Sequence, residues 1–267
     1  MNGRLFRQTL RWQRVRLLVV LVAAIAWGAF IPVIYNEFSV LIRDLANSGM
    51  FPEEMMNFGS GSLFTLPGSI TLGLQHPLAI AMLGIFAIGA SSTAVAGERA
   101  RGTLEVLLAR PISRTTLYTS LLVALLLTVL LVLGGILGGM VGSAAVVGIV
   151  DELDLGQMPL VVLNGFGLWA AFTTFALAMS VSFDRPGPAI GLALAWLLIH
   201  YFLEILGSLW TDAAWTQEYS LLHHFDPGAI LSGELDPIDL VIVYAATLIP
   251  IVYALLVFPK RDLAAPA

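Results

Sequence analysis

The sequence predicts an all-α integral membrane protein with six transmembrane helices and an N-terminal interfacial helix, and three observations carry that prediction. Hydrophobic residues make up 58% of the 267-residue chain and charged residues 12%, with a mean hydropathy of +0.89, more apolar surface than a water-soluble fold of this size can cover. Apolar stretches of the roughly 20 residues needed to cross about 30 Å of hydrocarbon recur six times. Twelve of the 13 Lys and Arg fall in alternate connecting segments. A single transmembrane domain over 1–267 follows, because no hydrophilic stretch is large enough for a second one.

The first element is RLFRQTLRWQRVR, in which Arg4, Arg7, Arg11 and Arg14 share an arc of roughly 80° on a helix of 3.6 residues per turn. Leu5, Phe6 and Trp12 lie off that stripe. This spacing predicts an interfacial helix over 3–14, with arginines toward phosphates or a partner and Trp12 at headgroup depth. The apolar run that follows is long and the chain stays hydrophobic after it, so it reads as a retained anchor and not a cleaved leader.

The six spans are placed near 15–35, 77–97, 116–140, 159–182, 188–210 and 240–258. The third stays apolar to Val150, which leaves either a long tilted helix or a helix with a short re-entrant piece. Between spans, the basic residues group as Arg4 to Arg16, then Arg99, Arg101, Arg110 and Arg114, then Arg185, then Lys260 and Arg261, with Arg43 alone on the other side. Acids gather opposite, in 36–76, 151–154 and 211–239. The positive-inside rule then predicts that both termini are cytoplasmic, which an even number of spans satisfies. In the first outer segment, Phe38, Leu41, Ile42 and Leu45 recur at helical spacing and Leu-Pro-Gly at 66–68 supplies a turn, so a surface amphipathic helix is expected there.

The segment 98–114 carries the most information. Leu104, Leu107 and Leu108 form one apolar stripe, while Glu98 with Arg101 and Arg101 with Glu105 are helix-compatible ion pairs. Pro111 ends that helix and Ser113 is placed to cap the next span. A short amphipathic helix outside the membrane needs lipid headgroups or another protein to cover its leucines.

These residues resemble the Glu-x-x-x-Gly-Thr-Leu-x-x-Leu-Leu-x-x-Pro-Ile-Ser-Arg signature of ABC-2 type transporter permeases, at Glu98, Gly102, Thr103, Leu104, Leu107, Leu108, Pro111, Ile112, Ser113 and Arg114. The likeness extends to the six-span layout, the basic N-terminal helix and the place of the loop between spans two and three. It implies an ABC-2/type V exporter-like fold in the plasma (inner) membrane of a bacterium or archaeon. It also implies a coupling helix that docks on a separate ABC ATPase subunit through Glu98, Arg101, Gly102, Thr103, Leu104, Glu105, Leu107, Leu108, Arg110, Pro111 and Arg114. A second permease copy or a paralogue would complete a dimeric pore. ATP and Mg would sit on the partner ATPase; this chain is expected to bind no cofactor, no metal and no nucleic acid.

The rest of the sequence bears on rivals to that reading. A P-loop needs a glycine-rich turn ending in Lys beside Ser or Thr, and the sole Lys is Lys260 in Pro-Lys-Arg, so the chain is expected to hydrolyse no ATP itself. The absence of Cys excludes disulfides, thiolate metal sites and cysteine nucleophiles. Gly134, Gly135, Gly138, Gly139 and Gly142 predict a close helix approach, inside the subunit or at a dimer interface. His200 and Glu204 lie at i and i+4 on one face, as part of a transport pathway or as mutual partners near the outer end. His223 and His224 beside Asp226 offer imidazole and carboxylate for a metal, or a gate-loop turn at Asp-Pro-Gly. With these, a membrane-embedded metal-dependent enzyme is one alternative, although no His-Glu-x-x-His or Gly-x-Ser-x-Gly motif is present. A secondary transporter is another, disfavoured by the lack of an internal repeat and the scarcity of intramembrane charge and broken helices.

Overall fold

The computed structural model describes residues 2–47, 57–58, 61–62 and 64–261. Helix α1 runs unbroken over Gly3–Asn47. At 1.5 Å per residue it extends about 67 Å, roughly twice the hydrocarbon thickness. One helix thus joins what the sequence divides into an interfacial helix over 3–14, a span over 15–35 and an outer helix around Phe38 and Leu41. Those two side chains are exposed, while those of Ile42 and Leu45 lie outside the described residues. A two-residue antiparallel pair, β1 (Asn57–Phe58) with β2 (Gly61–Ser62), follows.

The Leu-Pro-Gly expected to turn the chain instead starts helix α2, Leu66–Gln75. Thr65 caps it by accepting from the Gly68 amide at 3.1 Å, and Pro67 sits in the first turn, where no intrahelical amide bond is lost. This helix is no surface element: Leu66, Ile70 and Leu74 are all in the core. Pro77 forces His76 out of the helical region, to φ −64 and ψ 141, and helix α3, Pro77–Thr93, continues at 51° to α2. Within α3, Ile85–Ala90 form a π-helical turn, steadied by the Ser91 hydroxyl donating to the Phe86 carbonyl at 3.0 Å.

Two short helices, α4 (Ala96–Ala100) and α5 (Thr103–Leu108), lead to α6, Arg114–Val147. Of the two options for the long third stretch, the single long helix forms. It ends at Gly148, whose φ of 79 lets the amide return to Ala144 and Ala145. Then come α7 (Met158–Ser182), α8 (Pro186–Leu209), a 3-10 segment Thr211–Tyr219, α9 (Pro227–Leu231) and α10 (Pro237–Val257). Five described helices are long and apolar enough to cross a membrane, and counting the bent pair α2 and α3 as one span brings the number to six. Hydropathy alone does not mark the bend at His76, because both arms of the pair are apolar.

Helices α1 and α6 run parallel as the tightest pair. Gly28 and Gly139 have no room for a side chain: a Cβ at Gly28 would lie 1.9 Å from the Ile136 carbonyl oxygen, and one at Gly139 would lie 2.3 Å from that of Ile25. The glycine series therefore divides. Gly135 and Gly139 serve this intramolecular crossing, whereas Gly134, Gly138 and Gly142 face open space. Helix α7 occupies the centre, packed on α3, α6, α8 and α10. The Thr247 hydroxyl donates to the Gly167 carbonyl at 3.1 Å, and the Tyr244 hydroxyl to that of Leu163 at 3.0 Å, fixing α10 on α7.

The contacts sort the connections to two ends. At one end the Asn2 amide donates to the Ser120 hydroxyl at 2.8 Å, and the residues before α6, between α7 and α8, and after α10 come together. At the other, Tyr35 donates to Glu152 at 2.9 Å beside α2 and α9. The described arginines and Lys260, except Arg43, belong to the first end, and the acids at 151–154 and 211–239 to the second.

Candidate functional site

The arginine-rich end is built around the segment 94–114. Helix α3 stops at Thr93, and the freed amides of Val95 and Ala96 both find the buried hydroxyl of Ser180 on α7 at 3.0 Å. A second interruption falls at Gly102, with φ 70, a backbone conformation that glycine adopts without strain. The helix expected across 98–110 is therefore two helices set at an angle. Glu98 reaches Arg101 at 2.5 Å and accepts from the Thr103 hydroxyl, also at 2.5 Å, clasping the corner. The expected pair of Arg101 with Glu105 is not among the ion pairs of the described residues, because Gly102 breaks the spacing between them.

Two of the three leucines of the stripe are covered by the protein itself, and the third borders a cleft. Leu104 is 2% exposed within the core, Leu108 packs against that core, and Leu107 is half-buried. What faces outward here is the other face of α5, Glu105 and Val106, with Ala109, Arg110 and Pro111 just after the helix. Val106 is 65% exposed, the one large apolar side chain of α5 left uncovered.

Behind α5 lies a set of charged contacts that the sequence did not reveal. Arg99 lies 3.1 Å from Asp184, in the turn between α7 and α8, and Arg261 pairs with the same carboxylate. Arg261 also donates to the carbonyls of Val181 at 2.5 Å and Phe183 at 3.3 Å. Burial lowers the guanidinium pKa of Arg261 and the neighbouring Asp184 opposes that shift, so the cation is retained. Arg114 turns inward, donating to the carbonyls of Phe258, Pro259 and Arg261. Segment 96–114 is thereby tied to α7, α8 and the chain after α10. Asp184 is the hub of these contacts. Ser113 caps α6 as expected, accepting from the Thr116 amide at 3.1 Å.

Arg4, Arg7, Arg11 and Arg14 are exposed along the start of α1, and Trp12 is 68% exposed. Between that stretch, α5 and the start of α6 is a cleft of about 250 Å³ whose walls include Trp12, Arg16, Glu98, Arg101, Leu107 and Leu121. The two segments singled out from the sequence thus face each other across it.

At the acidic end, His200 and Glu204 do not bond to each other. Glu204 is 4% exposed and accepts from the Gln217 amide at 2.9 Å, while His200 accepts from the Leu221 amide at 3.1 Å through Nδ1. Both hold the 211–221 segment against α8. His223 stands 4.0 Å from Glu204, His224 pairs with Asp239 at 2.7 Å, and Asp226 caps α9 by accepting from Ala229 at 2.9 Å. Among the described residues no three His, Cys, Asp or Glu converge on a common point, so the geometry lends nothing to the metal-enzyme alternative. Gln217→Ala is expected to lower unfolding stability by about 1 to 2 kcal/mol by stranding the Glu204 carboxylate, whereas Glu204→Gln keeps the acceptor and changes it by less than about 0.5 kcal/mol. Thermal unfolding of the purified variants checks both.

The fold and its arginine-rich end define a class: an α-helical membrane protein whose short connecting helices after α3 are braced against several of the long ones at once. A protein-family model, that of the ABC-2 family transporter proteins, matches residues 6–263. The chain belongs to that family and is a membrane component of an ABC transporter. Comparison with curated proteins finds no match.

Proposed function

We propose that the chain is the permease subunit of an ATP-driven exporter, and that α5 is where a separate ATPase subunit docks. Two permeases, as identical copies or paralogues, form the pore in the plasma membrane, with both termini cytoplasmic. ATP and Mg belong to the ATPase partner. The observation that carries this reading is the exposed Val106, flanked by Glu105 and Arg110, on a short helix whose opposite face is fixed in the core. An apolar side chain ringed by charge suits a protein interface. Glu98 clasps α5 to α4 through the Thr103 hydroxyl, and α4 is tied by Arg99 and by Ser180 to α7 and to Asp184 in the turn before α8, which Arg261 after α10 also holds, so a push on α5 reaches those helices together.

The chain has no Cys, so Val106→Cys introduces a single thiol. With the permease alone that thiol should react readily with a water-soluble maleimide, and binding of the ATPase subunit should slow the reaction several-fold. The thiol from Leu104→Cys, at a buried position, should react slowly in both states. Equal rates at position 106 with and without the ATPase would reject the docking face.

A further inference from the structure

We infer that the cleft between α1 and α5 binds one anionic phospholipid, with the phosphate on Arg16 and an acyl chain against Leu107 and Leu121. Depth is the first argument. The N-terminal run of arginines on α1 ends at Arg16, with no further Lys or Arg before Arg43, and the next exposed side chains are apolar: Leu18, Val19 and Val22 are all more than 60% exposed. Trp12 and Arg16 therefore stand at the boundary between headgroups and hydrocarbon, where lipid phosphates lie.

Charge is the second argument. Of the two arginines in the cleft, Arg101 is committed to Glu98 at 2.5 Å. Arg16 has no carboxylate partner among the described ion pairs, and its guanidinium stands 5.8 Å from the centre of the Phe86 ring, which holds it at the mouth. One free cation at the rim and leucines within match a lipid with a phosphate at one end and hydrocarbon at the other. The cleft, at about 250 Å³, has space for part of one acyl chain.

The test uses the purified full chain in detergent, with dioleoyl phosphatidylglycerol or dioleoyl phosphatidylcholine added and retention read by native mass spectrometry. One phosphatidylglycerol should be retained in preference to phosphatidylcholine. Arg16→Gln should weaken retention about fivefold, equivalent to about 1 kcal/mol for one cation near an anionic lipid. Leu107→Trp, which fills the cleft, should weaken it as well, and Arg4→Gln, outside the cleft, should not. Arg16→Gln is a surface change, so its result stands even if Leu107→Trp unfolds the protein. Equal losses for Arg4→Gln and Arg16→Gln would show general attraction to the basic helix and overturn the site, as would indifference between the two lipids. Loss of the lipid when the ATPase subunit binds would assign the cleft to that protein and overturn it too.

Discussion

Gly28→Ala and Gly139→Ala are each expected to disrupt the pairing of α1 with α6, destabilising the protein by about 3 kcal/mol or more. The obstacle in both cases is backbone. The added Cβ would meet the Ile136 carbonyl at 1.9 Å or the Ile25 carbonyl at 2.3 Å, and neither oxygen can turn aside as a side chain would. One helix must slide or separate, and with it the packing of Leu21, Ala24 and Ile25 against Gly135. The contrast is built into the same stretch. Gly134→Ala, Gly138→Ala and Gly142→Ala add a methyl group to open space, and stability should stay within about 0.5 kcal/mol of the parent. Thermal unfolding and size-exclusion profiles of the five variants decide the matter. If all five behave alike, the crossing is not the contact described.

How far the fold was legible depends on the scale of the pattern. Hydropathy over 20 residues marks the spans, and the one-sided arginines sort the connections to the end where the structure gathers them. Local breaks were harder to see. Pro67 and Pro77 lie ten residues apart, and sequence alone could not tell a turn at the first from a helix start there, although the same Pro chemistry permits both. The continuity of α1 from Gly3 to Asn47 is not visible in the sequence because interfacial and crossing segments differ in polarity but not in backbone preference. In the 98–114 segment, residue types and ion-pair spacing identify Glu98 with Arg101, but a glycine alone does not announce the corner that Gly102 makes. With the corner at Gly102, this chain covers Leu104 and Leu108, which a straight helix would leave for an outside partner. Nothing local marks Ser180 or Asp184: a serine within an apolar span and an aspartate in a Pro-Gly turn acquire their roles through contacts some 80 residues distant.

Val106→Glu combined with Arg110→Glu should remove binding of the ATPase subunit with little effect on the permease itself. The expectation rests on what each residue touches. Neither appears in a described ion pair or side-chain hydrogen bond, and both are exposed, so the double change leaves the corner at Gly102 and the Asp184 contacts in place. At the interface, by contrast, it would bury a carboxylate where an apolar contact stood and reverse one charge. Each such change commonly costs more than 2 kcal/mol in binding, or about 30-fold. Glu98→Ala should behave differently, since Glu98 clasps the corner through Arg101 and Thr103; it should lower the stability of the permease as well as its association. The most direct measurement is capture of the tagged permease, gently extracted from its own membrane, with the ratio of nucleotide-binding subunit to permease determined for the parent and the Val106→Glu, Arg110→Glu variant. The proposed docking predicts stoichiometric ATPase with the parent and a near-complete loss with the variant at unchanged thermal stability. An undiminished ratio in the variant, or a parent that brings down no nucleotide-binding subunit, would contradict it.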